Sequence, residues 1–536
     1  MNEKPVKRQN YLRGAAILAM ATILVKVMGF LFKTPLNYII GERGSSYFYN
    51  AYKVYDVLLM ISTTGLPVAM SRMISEAQTL DNYAQIRKIY SVAKYVFLTI
   101  GIVGSLGMLL FAKQLSILVS TTETSWAAIA ALAPCVLLIC LISAYRGFFQ
   151  GQSNMSPTSV SQIFEALLRL VVGLSLAWVI MQRTGDPTYA AAGAIGGVTV
   201  GCLVSTIYLR GRFRGSNQVL SESGGEALSG RQTMKQLLAI AVPITLGAAG
   251  LQIINLFDAM IYMRRLTGAL GYAAEHADTL NGIYTFQQTI FALPCAFITT
   301  ITIAAIPAIT AFLTKKDTDG ARETEESAIR TMGLIAMPCA AGLFVLSEPI
   351  VRLLCPGYGE ESVAIAAPIL AILGVTVIFN SMVLLLNAIL QAHGDVTTPV
   401  INMLIGGIVK VIVNYFLVAV PALNIRGAAI GTVVCYGTIT LLDIIAIRRK
   451  ISTKPRIARN LVRPLLAAVL MGLATFGVYR IGTAYLPSRS IVCLVALAFA
   501  VVLYFVLAAV LRCVRYSDCL LLPKGEKIAK ILKIRD

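Results

Sequence analysis

Long apolar runs alternate with short polar segments from residue 12 to residue 515. A helix that crosses a bilayer needs about 20 mainly apolar residues, and by that measure the pattern predicts fourteen membrane-spanning helices. Their predicted bounds are 12–39, 46–76, 85–112, 125–149, 157–182, 188–209, 235–263, 278–313, 327–353, 362–391, 398–420, 426–447, 461–484 and 490–514. The sequence therefore predicts an all-α polytopic membrane protein, with no stretch left for a sizeable soluble domain.

Polar positions reveal an internal repeat, because four residues between 150 and 169 have chemically similar counterparts 241 positions later. The pairs are Gln150 and Gln391, Asn154 and Asp395, Ser156 and Thr397, and Arg169 and Lys410. Further matches occur at offsets of 235 to 240, among them Gly65-Leu-Pro67 with Ala305-Ile-Pro307. Both copies keep the same helix order and hold six helices. The repeat is therefore parallel, about an axis along the membrane normal, and favours a transporter whose two bundles rock around a central cavity.

The duplication divides the chain into predicted domains. Residues 1–214 form an N-lobe with spans one to six, and residues 235–450 form a C-lobe with spans seven to twelve. Residues 215–234 between them have the polar, Gly/Ser-rich composition of a linker, here predicted to be cytoplasmic. Spans thirteen and fourteen, in residues 451–516, lie outside the duplication, and residues 517–536 form a basic cytoplasmic tail.

The net charge of +20 is explained by membrane topology and does not indicate a nucleic-acid partner. The basic residues cluster in alternate inter-helix segments, at 4–13, 210–235, 448–463 and 512–535. This distribution follows the positive-inside rule, and with an even number of spans it predicts that both termini are cytoplasmic. The basic and aromatic interleaving of a nucleic-acid surface is absent. The expected partners are therefore membrane lipids, in the cytoplasmic membrane.

Composition argues against an enzyme and against a metal site. The chain is 57% hydrophobic and 13% charged, whereas a soluble domain would carry roughly 25% charged residues. Ten cysteines are scattered without a CxxC pair, and there are only two histidines, so a zinc or redox site is not expected. We expect no catalytic residues and no cofactor other than a coupling cation, Na⁺ or H⁺, or the membrane potential.

Span one carries two lysines that share a helix face. Lys26 and Lys33 lie on a stripe with Phe30 and Asn37, at helical spacing. A charged side chain at mid-bilayer costs at least ~2.5–3.5 kcal/mol and normally faces a wet cavity or a partner. Snorkelling to the membrane surface fits Lys33 tolerably and Lys26 poorly. Both are candidate ligands for an anionic substrate.

Span two combines charge, tyrosines and a candidate hinge. Lys53 and Asp56 are three residues apart and can pair along the helix, with Lys53 a candidate ligand and Asp56 a charge-balancing acid. Four tyrosines lie near these two residues: Tyr47, Tyr49, Tyr52 and Tyr55. They indicate either an aromatic belt at the membrane interface or contact with the sugar or pyrophosphate of a substrate. Further along, Gly65 and Pro67 are predicted to break or kink the helix, with Pro307 as the counterpart in span eight.

Span five offers a further charged pair. Glu165 and Arg169 are four residues apart, in the favoured orientation for an ion pair on a helix. In the second copy Lys410 remains, but the position that matches Glu165 is Gly406. The favoured interpretation is a structural Glu165–Arg169 pair. Arg169 and Lys410 are also candidate substrate ligands.

Span seven has one polar face that ends in Asp258, after Gln252 and Asn255. An acid in this position could bind a coupling cation, take up a proton or neutralise a lysine of span one. Arg264 and Arg265 end the same helix. They could gather anionic head groups or serve as interfacial anchors.

These features resemble those of a known group of transporters. The six-plus-six-plus-two helix plan and the first-helix sequence Leu-Val-Lys26-Val-Met-Gly-Phe30 resemble the multidrug/oligosaccharidyl-lipid/polysaccharide exporter superfamily. The run Arg146-Gly-Phe-Phe-Gln-Gly-Gln-Ser-Asn-Met-Ser-Pro157-Thr looks like its stage V sporulation protein B and polysaccharide-biosynthesis branch, close to the MurJ-type lipid II flippases of Gram-positive bacteria.

The resemblance implies alternating access, with a monomer moving an undecaprenyl-pyrophosphate-linked sugar through a cationic cavity between the lobes. The lipid tail would stay in the bilayer, beside spans thirteen and fourteen. Lys26 corresponds to a cavity arginine of the flippases, Lys33 lies one residue out of register with a second, and Lys53 matches a basic residue of helix two. Span eight departs from the pattern, because it has no basic residue between its ends.

Three functions compete on the sequence alone: a flippase for lipid II or another lipid-linked polysaccharide unit, a cation-coupled multidrug exporter, and a membrane enzyme. The excess of intramembrane Lys and Arg favours an anionic substrate, whereas a cationic drug would be expected to meet acids. The enzyme hypothesis is disfavoured because every predicted external loop is short and no acid–base constellation appears.

Overall fold

The computed structural model describes residues 11–221, 227–485 and 488–513. Within these ranges the chain forms α-helices and two short π-helical segments, Arg169–Gly173 and Arg265–Ala269, and no β-strand. The α-helices are α1 (Tyr11–Thr63), α2 (Gly65–Thr79), α3 (Tyr83–Leu110), α4 (Ala112–Ser120), α5 (Trp126–Gly151), α6 (Ser156–Leu168), α7 (Leu174–Thr184), α8 (Pro187–Ser221), α9 (Gly230–Arg264), α10 (Ala274–Thr314), α11 (Thr318–Val345), α12 (Ser347–Leu354), α13 (Glu360–Ala392), α14 (Thr397–Leu417), α15 (Arg426–Lys450), α16 (Ile457–Tyr485) and α17 (Arg489–Val510).

The predicted class, an all-α polytopic membrane protein, is confirmed. Among the described residues, 11 helical segments are long and apolar enough to cross a membrane by length and composition. One of them, Met20–Thr79, contains predicted span two and most of predicted span one. Spans seven and eight fall on α9 and α10, which are 35 and 41 residues long. The predicted basic tail, 517–536, and residues 222–226 of the predicted linker lie outside the described residues.

Helix α1 changes direction at Gly41, which separates spans one and two. Gly41 has φ 68° and ψ −171°, a backbone conformation that only glycine adopts readily because it has no Cβ. A second interruption follows at Thr64, between the end of α1 and the start of α2 at Gly65. The predicted break near Gly65 and Pro67 is therefore confirmed, whereas its role as a hinge stays a prediction. The side chain of Pro307 lies outside the described ones.

Glycines set the distances between helices in the first part of the chain. A Cβ at Gly65 would overlap the carbonyl oxygen of Ala241, so α2 and α9 touch backbone to backbone there. A Cβ at Gly147 would lie 3.2 Å from the backbone of Pro67, and one at Gly151 would lie 2.7 Å from Ile74 Cβ. Small residues four apart let helices approach closely. Residues 147–151, Gly-Phe-Phe-Gln-Gly, belong to the run from Arg146 to Thr158, here called the family motif. They therefore form a packing surface of α5 against α2.

The repeat is confirmed in the backbone at the predicted offset of 241. The turn after α5 has Ser153 at φ 58°, and the turn after α13 has Gly394 at φ 87°. In each turn the residue with positive φ donates its N–H to a glutamine carbonyl, Ser153 to Gln150 and Gly394 to Gln391, at 2.9 Å in both copies. The same tight turn therefore joins spans four and five and spans ten and eleven.

The repeat also appears at an offset of 235, where α3 and α11 begin. The side chain of Asn82 accepts a hydrogen bond from the Gln85 N–H at 3.0 Å, and that of Asp317 accepts one from the Gly320 N–H at 2.9 Å. Side-chain oxygens at these positions satisfy N–H groups that a helix start leaves without a backbone partner. Sequence and local structure therefore agree on the duplication.

The described residues fall into two compact units, and the division along the chain comes after Gly282, inside α10. In the first unit, α5 packs against α3 and α8, and α9 packs on α1 and α2 around one large apolar core. In the second unit, α13 packs against α11 and α15, while α16 packs on α11 and α17. The packing order of the repeat is thus kept in both units. The predicted lobes, 1–214 and 235–450, follow the duplication instead of this division. They stay a prediction.

Polar contacts fasten α16 to α11 in the second unit. Glu325 is buried, accepts a hydrogen bond from Thr453 at 2.7 Å and lies 2.7 Å from His393 Nε2. One turn further, Arg330 donates to Asn460 at 3.0 Å. These contacts fix the first of the two helices that lie outside the duplication.

Candidate functional site

Three charged residues of the first unit form a group within the membrane-spanning helices, here called the central charge group. Lys33 and Asp56 are on α1, and Arg169 is the first residue of the π-helical segment that follows α6. Asp56 interacts electrostatically with both basic residues, and Lys33 and Arg169 also act on each other. Two positive charges and one negative charge leave a formal sum of +1.

Two buried hydrogen-bond donors accompany this group. Arg169 Nε and the Tyr52 hydroxyl lack a hydrogen-bond partner among the described residues, and the two groups interact electrostatically. Buried polar atoms without partners are rare in folded proteins. These two donors and the positive charges of Lys33 and Arg169 suit a ligand that offers anionic oxygen atoms.

The π-helical segment makes Arg169 unlike its counterpart. Gly173 ends this segment and lies against α8, since a Cβ at Gly173 would be 2.9 Å from the Ala194 carbonyl oxygen. Lys410 instead lies in α14, which is an uninterrupted α-helix. Single π-helical turns occur frequently at functional sites. The two copies therefore differ in backbone geometry at the matching basic position.

The predicted ion pair between Glu165 and Arg169 is not the contact pair that forms, although the two charges interact electrostatically. Glu165 pairs instead with Arg146 of α5, whose Nη2 lies 2.6 Å from the Glu165 carboxylate. The same guanidinium donates to Ser161 at 2.8 Å and 3.0 Å. Helix packing brings this partner from another span, which the four-residue spacing along one helix could not reveal. Glu165 therefore balances Arg146, a member of the family motif.

The lysines of span one differ in exposure. Lys26 is exposed on α1, whereas Lys33 is half-buried and places its ammonium 5.1 Å from the centre of the Tyr49 ring. Asn37, the last member of their stripe, is buried and accepts a hydrogen bond from Ser45 at 2.7 Å. The substrate role of Lys26 and of Lys33 stays a prediction.

Lys53 lies at the centre of a polar network between α1, α9 and α10. Its ammonium donates to the Tyr262 hydroxyl at 2.6 Å, to Asn281 Oδ1 at 3.1 Å and to Asn50 Oδ1 at 3.4 Å. The sequence spacing had suggested a pair with Asp56, but Asp56 interacts with Lys33 and Arg169. Lys53 therefore belongs to this polar network and not to the central charge group.

The network continues through neutral side chains to a buried acid. Asn281 Nδ2 donates to Ser46 at 2.7 Å. Ser46 and Thr124 in turn donate to Asp278 at 3.3 Å and 3.2 Å. The sequence patterns did not indicate the neutral members of this network, because they were read for charged side chains. The available signal was the position of Asn50 and Asn281 inside apolar spans, where an amide needs a partner.

The tyrosines of span two do not form a lipid-facing belt. Tyr47 and Tyr55 are only 5% and 4% exposed and belong to the apolar core of the first unit. Tyr49 and Tyr52 pack against that core. The interpretation as an interfacial belt is wrong for Tyr47 and Tyr55, because the helix turns these side chains toward its neighbours.

The remaining candidates lie apart along the chain. Asp258 is buried on α9, Arg264 is exposed at the end of α9, and Arg265 begins the second π-helical segment. In the second unit, Lys410 is half-buried on α14 and interacts electrostatically with Tyr436. Roles in substrate binding or cation coupling stay predictions for these four residues.

Comparison with known proteins identifies similar sequences and folds. A family model described as "Polysaccharide biosynthesis protein" matches residues 11–313, and one described as "MatE" matches residues 279–416. The stage V sporulation protein B of Bacillus subtilis (strain 168) is 26% identical over 438 residues, which cover 81% of this chain and 83% of that protein. The lipid II flippase MurJ of the same organism is 25% identical over 484 residues, which cover 86% of this chain and 87% of that protein.

A solved structure described as lipid II flippase MurJ in the inward closed conformation has the same fold. It superposes with a TM-score of 0.69 and covers 92% of this chain and 98% of that one, with 13% sequence identity. At that identity the likeness concerns the fold alone.

Proposed function

The chain belongs to the polysaccharide biosynthesis protein family of the multidrug/oligosaccharidyl-lipid/polysaccharide exporter superfamily, and we propose that it is a flippase for a lipid-linked oligosaccharide. The substrate is a sugar unit on undecaprenyl pyrophosphate, which the protein moves outward across the cytoplasmic membrane. Lipid II is the favoured substrate, by analogy with the lipid II flippase MurJ of Bacillus subtilis. Both termini are cytoplasmic in this proposal, and the protein works as a monomer.

The observation that carries the proposal is the positive charge of the central charge group, together with Arg169 Nε and the Tyr52 hydroxyl, two donors that have no hydrogen-bond partner in the part of the chain that the structure describes. An uncompensated charge within a membrane span costs about 2.5–3.5 kcal/mol on insertion scales. Two unit charges about 4 Å apart attract by roughly 4 kcal/mol at an effective dielectric constant of 20. An anionic ligand would therefore offset the cost of the buried charge.

Pyrophosphate fits this group in chemistry as well as in charge. Its oxygens accept hydrogen bonds, and Arg169 Nε, the Tyr52 hydroxyl and the Lys33 ammonium all donate. Charge-assisted hydrogen bonds from Arg and Lys to phosphate oxygens are stronger than neutral ones. In this proposal the group binds the pyrophosphate while the sugar occupies the water-filled pathway and the lipid tail stays in the bilayer.

A second function, export of cationic drugs, is favoured by one observation, the match of residues 279–416 to the family described as MatE. A cationic substrate would need acidic partners, and the central charge group has a formal sum of +1. We therefore place drug export second.

The test is transport by the purified, reconstituted protein with three fluorescent substrates. They are lipid II, a different undecaprenyl-pyrophosphate-linked oligosaccharide, and a cationic dye. We expect movement of at least one lipid-linked sugar, and a loss of about tenfold or more in Arg169→Gln, because a neutral side chain removes one charge-assisted contact. The control is Arg72→Gln, which alters an exposed ion pair with Glu76.

Transport of the dye alone would refute the flippase proposal in favour of drug export. Undiminished lipid transport by Arg169→Gln and by Lys33→Gln would refute the role of the central charge group.

A further inference from the structure

The network around Lys53 joins residues that the duplication assigns to different lobes. Ser46, Asn50 and Lys53 follow the kink at Gly41 in α1 and belong to the first copy. Tyr262 lies in the last turn of α9, and Asn281 lies in the early turns of α10, so both belong by sequence to the second copy. We call these five residues the Lys53 latch. All of them lie within the first compact unit.

Asn281 is the central member of the Lys53 latch, because its amide uses every hydrogen-bonding position. Its Oδ1 accepts from Lys53 at 3.1 Å and from Tyr262 at 2.7 Å. Its Nδ2 donates to Ser46 at 2.7 Å and to Asn50 at 3.0 Å. An amide offers two acceptor and two donor positions, so all four are occupied. Loss of this one side chain would remove four hydrogen bonds at once.

The backbone of α10 also approaches α1 closely at this point. A Cβ at Gly282, the residue after Asn281, would overlap the carbonyl oxygen of Glu42 and lie 3.2 Å from the Ser46 nitrogen. Gly282 thus allows the two helices to touch just beyond the Gly41 kink. On the predicted topology, with cytoplasmic termini, the Gly41 kink faces the outside.

From these contacts we infer that the Lys53 latch closes the outer end of the transport pathway and opens to release the head group. This inference rests on the proposed function and adds the control of its outer exit. When the latch is closed, the Lys53 ammonium is directed to neutral oxygens. When it opens, the same ammonium is released to the pathway, where it can bind the departing pyrophosphate.

The chemistry of the latch suits repeated opening. Every member can exchange its protein partner for water, and such an exchange changes the free energy by only about 0.5–1.5 kcal/mol per hydrogen bond. An apolar seam would instead expose hydrocarbon surface to water, at about 25 cal/mol per Å². A neutral polar seam therefore closes the pathway without making closure irreversible.

The first experiment locks the latch with a disulfide. In Ser46→Cys/Asn281→Cys the cysteines replace side chains that are in contact, and oxidation ties α1 to α10. The control, Ser62→Cys, places a second thiol against the native Cys140, whose Sγ lies 3.1 Å from Ser62 Oγ, but both residues belong to the first copy and lie outside the latch. We expect oxidation to reduce lipid transport at least about tenfold in the first variant, to leave the control unchanged, and reductant to restore transport.

The second experiment measures opening without any substrate. Ser46 is buried, so Ser46→Cys should react slowly with a membrane-impermeant maleimide applied from outside. Asn281→Ala in the same chain should raise this rate about tenfold, because it removes the central hydrogen bonds. Gly282→Ala should also raise the reaction rate, whereas Gly107→Ala should not, because its added Cβ meets no atom of the described residues within 4 Å.

A buried serine outside the latch separates opening from unfolding. Ser116 is also buried, and Ser116→Cys should stay unreactive when Asn281→Ala is added. Equal gains in reactivity at positions 46 and 116 would overturn the inference, as would full transport by the oxidised Ser46→Cys/Asn281→Cys protein. The maleimide reaction needs no substrate. It therefore tests whether the latch opens even if the proposed substrate is wrong.

Discussion

Arg169 and Lys410 occupy matching positions of the repeat, yet their surroundings differ. Arg169 begins a π-helical segment and belongs to the central charge group, whereas Lys410 lies in a regular helix of the other unit. The acid four residues before Arg169 pairs with Arg146 instead. Matching residues in a duplicated protein can therefore take different roles, and each has to be tested separately.

At the residue scale we predict that Lys26→Ala and Lys410→Ala each abolish transport without loss of membrane expression. The reason is that each removes a basic side chain from a membrane span, where a charge is retained only for a partner or a ligand. Reconstituted transport of labelled lipid II measures the effect, with Lys315→Ala, an exposed lysine in the turn between α10 and α11, as control. Normal transport by both variants would contradict a cationic pathway.

A second residue-scale prediction concerns the stability of the first unit. The Arg146–Glu165 pair is only 13% and 14% exposed, and removal of one partner of a buried pair costs about 3–5 kcal/mol. Glu165→Ala should therefore lower the melting temperature in detergent clearly. Glu165→Gln should do so less, because its amide oxygen can still accept from Arg146.

The control for this prediction is Glu76→Ala, which breaks an exposed pair with Arg72 worth about 1 kcal/mol or less. Equal melting temperatures for Glu165→Ala and Glu76→Ala would show that the Arg146–Glu165 pair does not stabilise the fold.

At the element scale, the family motif proves to be mainly a packing surface. Its glycines bring α5 against α2, and Phe148 and Phe149 are buried in the core. The sequence predicted the helices that carry this motif from their length and apolar composition. It could not show which helix the motif contacts, because contacts between spans depend on three-dimensional packing.

The contact between α2 and α9 supplies the element-scale prediction. Gly65→Ala would place a methyl group against the Ala241 carbonyl oxygen and force the two helices apart. Because overpacking typically costs about 1–3 kcal/mol, we expect a lower melting temperature and reduced transport. The control is Gly342→Ala, because the added Cβ would have no atom of the described chain within 4 Å. An unchanged melting temperature for Gly65→Ala would mean that α2 and α9 do not need this contact.

At the scale of the whole molecule, the proposed function predicts which intermediate accumulates in cells. Depletion of the protein should trap the lipid-linked precursor on the cytoplasmic side, since its polar head group cannot cross the bilayer unaided. Mass spectrometry of extracted undecaprenyl-linked lipids before and after depletion identifies that precursor. An unchanged lipid profile, together with increased sensitivity to cationic dyes, would favour drug export instead.

The sequence by itself determined the all-α polytopic class, the duplication and the break near Gly65. These features depend on hydrophobic length, on residue spacing and on local backbone preferences, all of which act along the chain. Only the tertiary structure showed that Arg146 forms an ion pair with Glu165 and that Asn281 accepts hydrogen bonds from both Lys53 and Tyr262. Such partners come from separate helices, and short polar side chains pair only where packing brings them within hydrogen-bond distance.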